Sequence, residues 1–304
     1  MVMIKGSIVP LVTPMKSKGD ITGIAGIAEI DYEQLTNLVE WHIKEGTEGL
    51  VVVGTTGESV TLSAQESEQV IQHVVRVANK RIVVIAGTGT SATQETIEQT
   101  QRAKALGADA ALIITPYYNR PTQTGLFLHY QAIAHAVPDF PIILYNNPGR
   151  TGCDLQVETV AILSNVPGIY GIKDPTGDLN RVYEHRSRCR PGFKLYSGDD
   201  ATCLNFMLAG GDGVITITAN IAPKMMHDLV TALFSKQETL AREINTALSR
   251  LYKLLVIEPN PIPIKWALGQ SKQISDAIRL PLTPLSVSYH RDILEQLTIL
   301  GLHA

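Results

Sequence analysis

Lys173 is where this sequence most plainly offers chemistry. It closes the apolar run Ile169 to Ile172 and is one of thirteen lysines in 304 residues. A lysine partly withdrawn from water at the end of a strand loses its preference for the ammonium form, and the free amine attacks carbonyl carbon. The same position equally suits a lysine that snorkels to solvent or pairs with Asp174. Tyr145 also ends an apolar run and opens the stretch Tyr145-Asn146-Asn147-Pro148-Gly149-Arg150-Thr151-Gly152. Its phenol either relays protons or is a buried tyrosine with a satisfied hydroxyl. Arg150, set among Pro148, Gly149 and Gly152, either presents a bidentate fork to a carboxylate or makes a surface ion pair. In Gly54-Thr55-Thr56-Gly57-Glu58-Ser59 the glycines let successive N–H groups converge and the hydroxyls can donate. That is a nest for a carboxylate or phosphate, or else an ordinary strand-to-helix turn. Without Gly-Lys-Ser/Thr it is no P-loop, and the eight histidines lack metal-ligand spacing.

The elements that must position these groups are legible as two alternating patterns. Eight short runs rich in β-branched residues, at 7–12, 49–53, 82–86, 110–114, 141–145, 169–173, 193–196 and 213–217, read as strands. Most are apolar at every position, as expected of parallel strands covered on both faces. Helical stripes lie between them, such as Leu35, Leu38, Val39 and Ile43, or Val70, Ile71, Val74 and Val77. Ser63 with Glu66 and Ser91 with Gln94 have capping-box spacing, and Gly107 and Gly210 read as helix stops. Eight βα units over about 235 residues predict an α/β fold, the (β/α)8 TIM barrel, with the doubly wound open sheet as the alternative. The barrel is assigned to residues 1–236 and a C-terminal helical appendage to 237–304. In such a barrel the reactive face lies at the strands' C-terminal ends, where all the residues named above fall.

Composition removes several classes of function. With 26 Lys and Arg against 29 Asp and Glu, the formal charge is −3, too acidic for a protein that neutralises nucleic-acid phosphates. The basic cluster Arg181, Arg186, Arg188 and Arg190 reads as the solvated last turns of a helix. Cys153, Cys189 and Cys203 fit neither a disulfide framework nor a zinc site, which suits reduced thiols in the cytoplasm. No signal-peptide core or membrane span is visible.

Four motifs, Gly54-Thr55-Thr56-Gly57-Glu58, Tyr117-Tyr118-Asn119, Tyr145-Asn146-x-Pro148-x-Arg150-Thr151-Gly152 and Gly171-Ile172-Lys173, stand in one order along the chain. With them, nearly the whole sequence resembles the dihydrodipicolinate synthase family of pyruvate-dependent class I aldolases. The resemblance implies that Lys173 forms a Schiff base with pyruvate and that Thr55, Tyr145 and Tyr118 form a proton relay, Tyr118 entering a neighbouring subunit's site. It implies further that Thr56 binds the pyruvate carboxylate, that Arg150 receives the carboxylate of L-aspartate 4-semialdehyde, and that the Ile215 carbonyl faces the bound intermediate. A homotetramer built as a dimer of dimers and the absence of any cofactor follow from the same resemblance. A sister activity, cleavage of a sugar acid such as N-acetylneuraminate or a 2-keto-3-deoxy acid, is the alternative, and Arg150 together with Tyr118 argues against it. A barrel that only binds a ligand is a third reading, which the intact lysine, tyrosines and threonines disfavour.

Three departures from the family pattern are visible. The segment 18–30 is several residues longer than usual and borders the barrel mouth. Asp174-Pro175 replaces a more usual Glu-Ala or Glu-Ser, with little effect expected. Ser59, Glu95 and Tyr117 match the site where some relatives bind L-lysine as an inhibitor, but Ala64, Ser67 and Ser91 stand where polar or aromatic partners are usual. Weak or absent inhibition by lysine is therefore expected.

Overall fold

The computed structural model describes residues 3–16 and 28–302. Its strands are β1 (Gly6–Pro10), β2 (Met15–Lys16), β3 (Glu29–Ile30), β4 (Gly49–Val52), β5 (Val83–Gly87), β6 (Ala110–Ile114), β7 (Ile142–Tyr145), β8 (Ile169–Asp174), β9 (Lys194–Ser197) and β10 (Gly213–Ile215). Eight of them, β1 and β4 to β10, form a closed barrel of parallel strands, which β1 seals by pairing with both β4 and β10. This is the expected TIM barrel, and the open-sheet alternative is excluded because no barrel strand is left with a free edge.

The continuous apolar runs have a physical reason. Successive residues of a strand point to opposite faces, and here both faces are apolar. Ile8, Val51, Ile85, Leu112, Ile143 and Tyr196 fill the barrel interior, while their neighbours Val9, Leu50, Val84, Ile113, Leu144 and Leu195 pack outward against the helices. The helix over Ala64–Ala78 starts with the expected capping box, Ser63 and Glu66 satisfying each other's backbone donors. The second capping box is not formed. The helix over Thr93–Ala105 is capped by Ala92 without a side-chain bond, one residue after Ser91, whose carbonyl accepts from Asn119 Nδ2 at 2.9 Å. The antiparallel pair β2 and β3 went unread, because two residues per strand carry no periodicity. The long segment expected at 18–30 lies, up to residue 27, outside the described residues.

The C-terminal helices, Glu238–Leu254, Ile262–Gln270 and His290–Ile299, do not form a separate body beside the barrel. Lys265, on the second of them, forms an ion pair with Glu58 of the 54–59 turn, with the two side chains 1% and 0% exposed. The Arg279 backbone N–H donates to the other Glu58 oxygen at 3.2 Å. The Arg279 guanidinium continues the tie by donating to the Thr61 carbonyl and to Glu66. Removing one partner of such a pair leaves a buried charge unanswered. Lys265→Met is therefore expected to cost about 3–5 kcal/mol of stability, read as a lower urea midpoint at unchanged slope. Adding Glu58→Gln should restore part of the loss; a single variant as stable as wild type would show that the pair does not hold the segment.

Candidate active site

A one-residue irregularity in the barrel decides what stands next to what. Ile142 on β7 pairs with Ile169 on β8, but the next residue, Ile143, pairs with Gly171, so Tyr170 is passed over. Without that bulge Tyr145 would lie level with Ile172 and not with Lys173. With it, Tyr145 pairs with Lys173 and both side chains face the barrel interior. The Lys173 amine lies 4.4 Å from the centroid of the Tyr145 ring, and the residue is 7% exposed. Gly198, just past β9, leaves room for it: a Cβ there would come within 2.8 Å of the Lys173 Cε.

Tyr145 is tuned by this company. Burial pushes its phenol up, but the charge of Lys173, a hydrogen bond from Asn147, the charge of Arg150 and the Thr55 hydroxyl together bring it below the ordinary tyrosine value. Asn147 Nδ2 donates to the phenol oxygen at 2.9 Å. A phenol held below its ordinary value at a polar cluster is suited to taking and returning protons.

The turn after β4 begins with Val53 at φ 55°, a left-handed conformation that a β-branched residue adopts only under constraint, and Glu58 is also left-handed at φ 57°. The turn closes on itself, with Glu58 N donating to the Thr55 carbonyl at 3.1 Å and Ser59 N to the Gly54 carbonyl at 3.2 Å. Thr56, buried, accepts from Asn260 Nδ2 at 2.9 Å, which leaves its own hydroxyl proton to donate. Arg150 is exposed, and its guanidinium donates to the Asn260 carbonyl at 3.3 Å.

Thr55, Thr56, Tyr145, Arg150 and Lys173 all line one cavity of about 430 Å³ at the C-terminal ends of the strands. Its far wall comes from the C-terminal region, through residues 256–260. Two expected site residues are not among those that line this cavity. Tyr118 is 95% exposed, with φ 74°, and is not part of the cavity wall. Ile215 is buried at the end of β10, and Ile217, two residues on, lines the cavity. Asn147 and Asn260 were not anticipated. Asn147 sits inside a quoted stretch without a role, and Asn260 falls in the C-terminal region 237–304, to which the sequence assigns no site residue. Asn260 Oδ1 is buried and has no hydrogen-bond partner among the described residues, which makes it an open acceptor.

A second cavity of about 510 Å³ adjoins the first and shares Thr55, Arg150 and Asn260 with it. Ser59, Ala64, Ser67, Glu95 and Tyr117 line it, while Ser91 does not. Burial, then the Glu95 carboxylate, pushes the Tyr117 phenol up. Among the described residues, no helix is long and apolar enough to cross a membrane.

Comparison with known proteins gives the family and the fold of the chain. The sequence model of the dihydrodipicolinate synthetase family matches residues 3–300. The chain is 54% identical over 286 residues to the 4-hydroxy-tetrahydrodipicolinate synthase of Methylococcus capsulatus, covering 94% of this chain and 95% of that one. It is 49% identical over 300 residues to the enzyme of the same name from Coxiella burnetii, covering 99% of both. Among solved structures, a chloride-inhibited dihydrodipicolinate synthase from Acinetobacter baumannii, complexed with pyruvate, superposes with a TM-score of 0.93 at 49% identity. That match covers 99% of this chain and 100% of that chain. The dihydrodipicolinate synthase of Aquifex aeolicus gives a TM-score of 0.93 at 41% identity, covering 99% of each.

The charge of Lys173 is the largest influence holding the Tyr145 phenol down. Lys173→Met is thus expected to raise the Tyr145 pKa, seen as the ultraviolet phenolate titration that Tyr145→Phe abolishes. A titration that stays in place in Lys173→Met would mean that the amine does not act on this phenol.

Proposed function

As the chain belongs to the dihydrodipicolinate synthetase family, we infer that Lys173 carries the chemistry of a 4-hydroxy-tetrahydrodipicolinate synthase. Such a lyase of the diaminopimelate and lysine pathway joins pyruvate to L-aspartate 4-semialdehyde. The observation that carries this assignment of roles is the amine of Lys173 over the ring of Tyr145, inside a cavity that also holds Thr56 and Arg150.

The steps follow from the groups in place. The Lys173 amine adds to the pyruvate ketone and water leaves, giving an iminium that withdraws electrons from the adjacent methyl group. Thr56 holds the pyruvate carboxylate through its hydroxyl proton. A methyl proton passes to the relay of Tyr145, Thr55 and Tyr118 of the partner subunit, and the resulting enamine carbon attacks the aldehyde. Arg150 receives the carboxylate of this second substrate, and its exposure at the cavity rim suits a group that meets the second substrate first. The Ile215 carbonyl faces the intermediate. The aldehyde substrate's amine then displaces Lys173, releasing the lysine amine and closing the ring. The protein lysine itself stabilises the carbanion, so no cofactor enters the scheme.

The active unit is at least a dimer, because Tyr118 completes a neighbour's relay, and two such dimers form a homotetramer in the cytoplasm. The near-complete exposure of Tyr118 supports that role, since a tyrosine held out of its own site is available to another. Three free cysteines suit a reducing compartment.

The decisive experiment supplies pyruvate with aspartate semialdehyde beside pyruvate with N-acetylmannosamine, and traps the adduct with borohydride. Turnover of the first pair and a peptide adduct on Lys173 alone are expected. Turnover of only the second pair, or labelling of other lysines instead, overturns the assignment. Mixing Tyr118→Phe chains with Lys173→Ala chains should restore part of the activity; mixed oligomers that form and stay inactive would refute the shared site. Activity should also persist in millimolar L-lysine, and half-inhibition well below that would show that the second cavity binds lysine by other contacts.

A further inference from the structure

Tyr145 and Lys173 are each followed in the chain by a buried polar residue that has no place in the cavity. Asn146 follows Tyr145 and is fully buried, and Asp174 follows Lys173 with its side chain 3% exposed. Strand alternation turns such neighbours to the opposite face, toward the surrounding helices. Asp174 meets a cation there directly, and Asn146 is joined to the same cation through Asp154. Arg181, on the helix Leu179–Arg188, donates through Nε to Asp174 Oδ2 at 2.8 Å. Its two terminal nitrogens donate to Asp154 Oδ2 at 3.2 Å and to the Leu155 carbonyl at 2.8 Å. Asp154 in turn accepts from Asn146 Nδ2 at 2.7 Å, and Asn146 Oδ1 accepts from Leu155 N at 2.9 Å. The backbone N–H of Asn146 donates to the Lys173 carbonyl at 3.1 Å.

The segment 146–155, which carries Arg150, is thus closed at its base and clamped to β8 by one guanidinium. The sequence reading had placed Arg181 among solvated helix cations; the structure turns it inward instead, while Arg188 remains at the surface. We propose that Arg181 is a positioning residue whose fork sets the Arg150 segment in register with Lys173. The proposal rests on the roles assigned above to Lys173 and Arg150. A planar fork reaches both acids and the carbonyl at once, whereas an ammonium is a single point that cannot span all three. The arm to Asp174 is sealed from water, and the arm to Asp154 is more open, with that side chain 40% exposed. The two arms therefore act on different steps. The inner arm fixes the residue beside the nucleophile, and the outer arm fixes the loop that receives the second substrate.

The test uses the full chain with Asp154→Asn, Asp174→Asn and Arg181→Lys. Two readouts are taken on each: the rate of borohydride-trapped adduct with pyruvate alone, and KM for aspartate semialdehyde in the complete reaction. A displacement of reacting groups by an ångström costs up to about a hundredfold, and a loosened clamp about tenfold. Asp154→Asn should raise the aldehyde KM about tenfold while trapping stays within about twofold. Asp174→Asn should slow trapping about tenfold, and Arg181→Lys should do both. Should Arg181→Lys fail to fold, the two aspartate variants still decide. Losses that are equal in both readouts and follow the thermal midpoint, or no change in either, would overturn the proposal. Failure of the wild-type chain to form an adduct would instead overturn the assigned function.

Discussion

Lys265 and Glu58 meet in a place that water does not reach, and the mouth of the barrel is organised around that meeting. A buried pair is not in itself a large gain in stability, because both ions give up their hydration. What it does enforce is arrangement. Neither charge tolerates the loss of the other, so the 54–59 turn and the helix Ile262–Gln270 hold a single relative position. That position brings Asn260 to Thr56 and residues 256–260 over the cavity. The left-handed backbone of Val53 and Glu58 is a strained way to build a turn, and it persists because the surrounding contacts leave it no alternative.

A second constraint acts across the sheet. Parallel strands with apolar residues on both faces give little energetic preference between neighbouring registers, since a slip exchanges one apolar residue for another. The bulge at Tyr170 removes that ambiguity between β7 and β8 at the level where it matters, by admitting the only charged residues of β8 at its end. Lys173 goes inward to Tyr145, and Asp174 goes outward to Arg181.

These two constraints also explain which parts were legible in the sequence. The eight strands, their order and the flanking helices follow from local runs and spacings, which is why 169–173 and 49–53 could be located within a residue or two. The reactive residues at strand ends were legible for the same reason. Asn260 was not, because its importance comes from Thr56, a residue 204 positions away, and nothing local to Asn260-Pro261 announces that contact. Arg181 was misread because its pattern is that of a helix end. Whether a cation there faces water depends on Asp154 and Asp174, which approach from two other elements. The unformed cap at Ser91 is the opposite error: a local signal was present, but the helix begins one residue later, with Ala92 at the cap position.

The closing of the cavity by the C-terminal region has a consequence for how the molecule comes into being. A ribosome makes Glu58 early and Lys265 207 residues later. At about 5–20 residues per second the interval is roughly 10 to 40 s. Throughout it the carboxylate has no ammonium to meet and stays hydrated, so the strained turn lacks the contacts that hold it. All eight barrel strands and residues 256–260 have been synthesised before Lys265 appears, yet the helix Ile262–Gln270 that holds that wall over the amine of Lys173 is not complete. A reactive lysine is thereby left without its finished pocket for as long as the chain is incomplete, and catalytic competence arrives among the last events of biosynthesis.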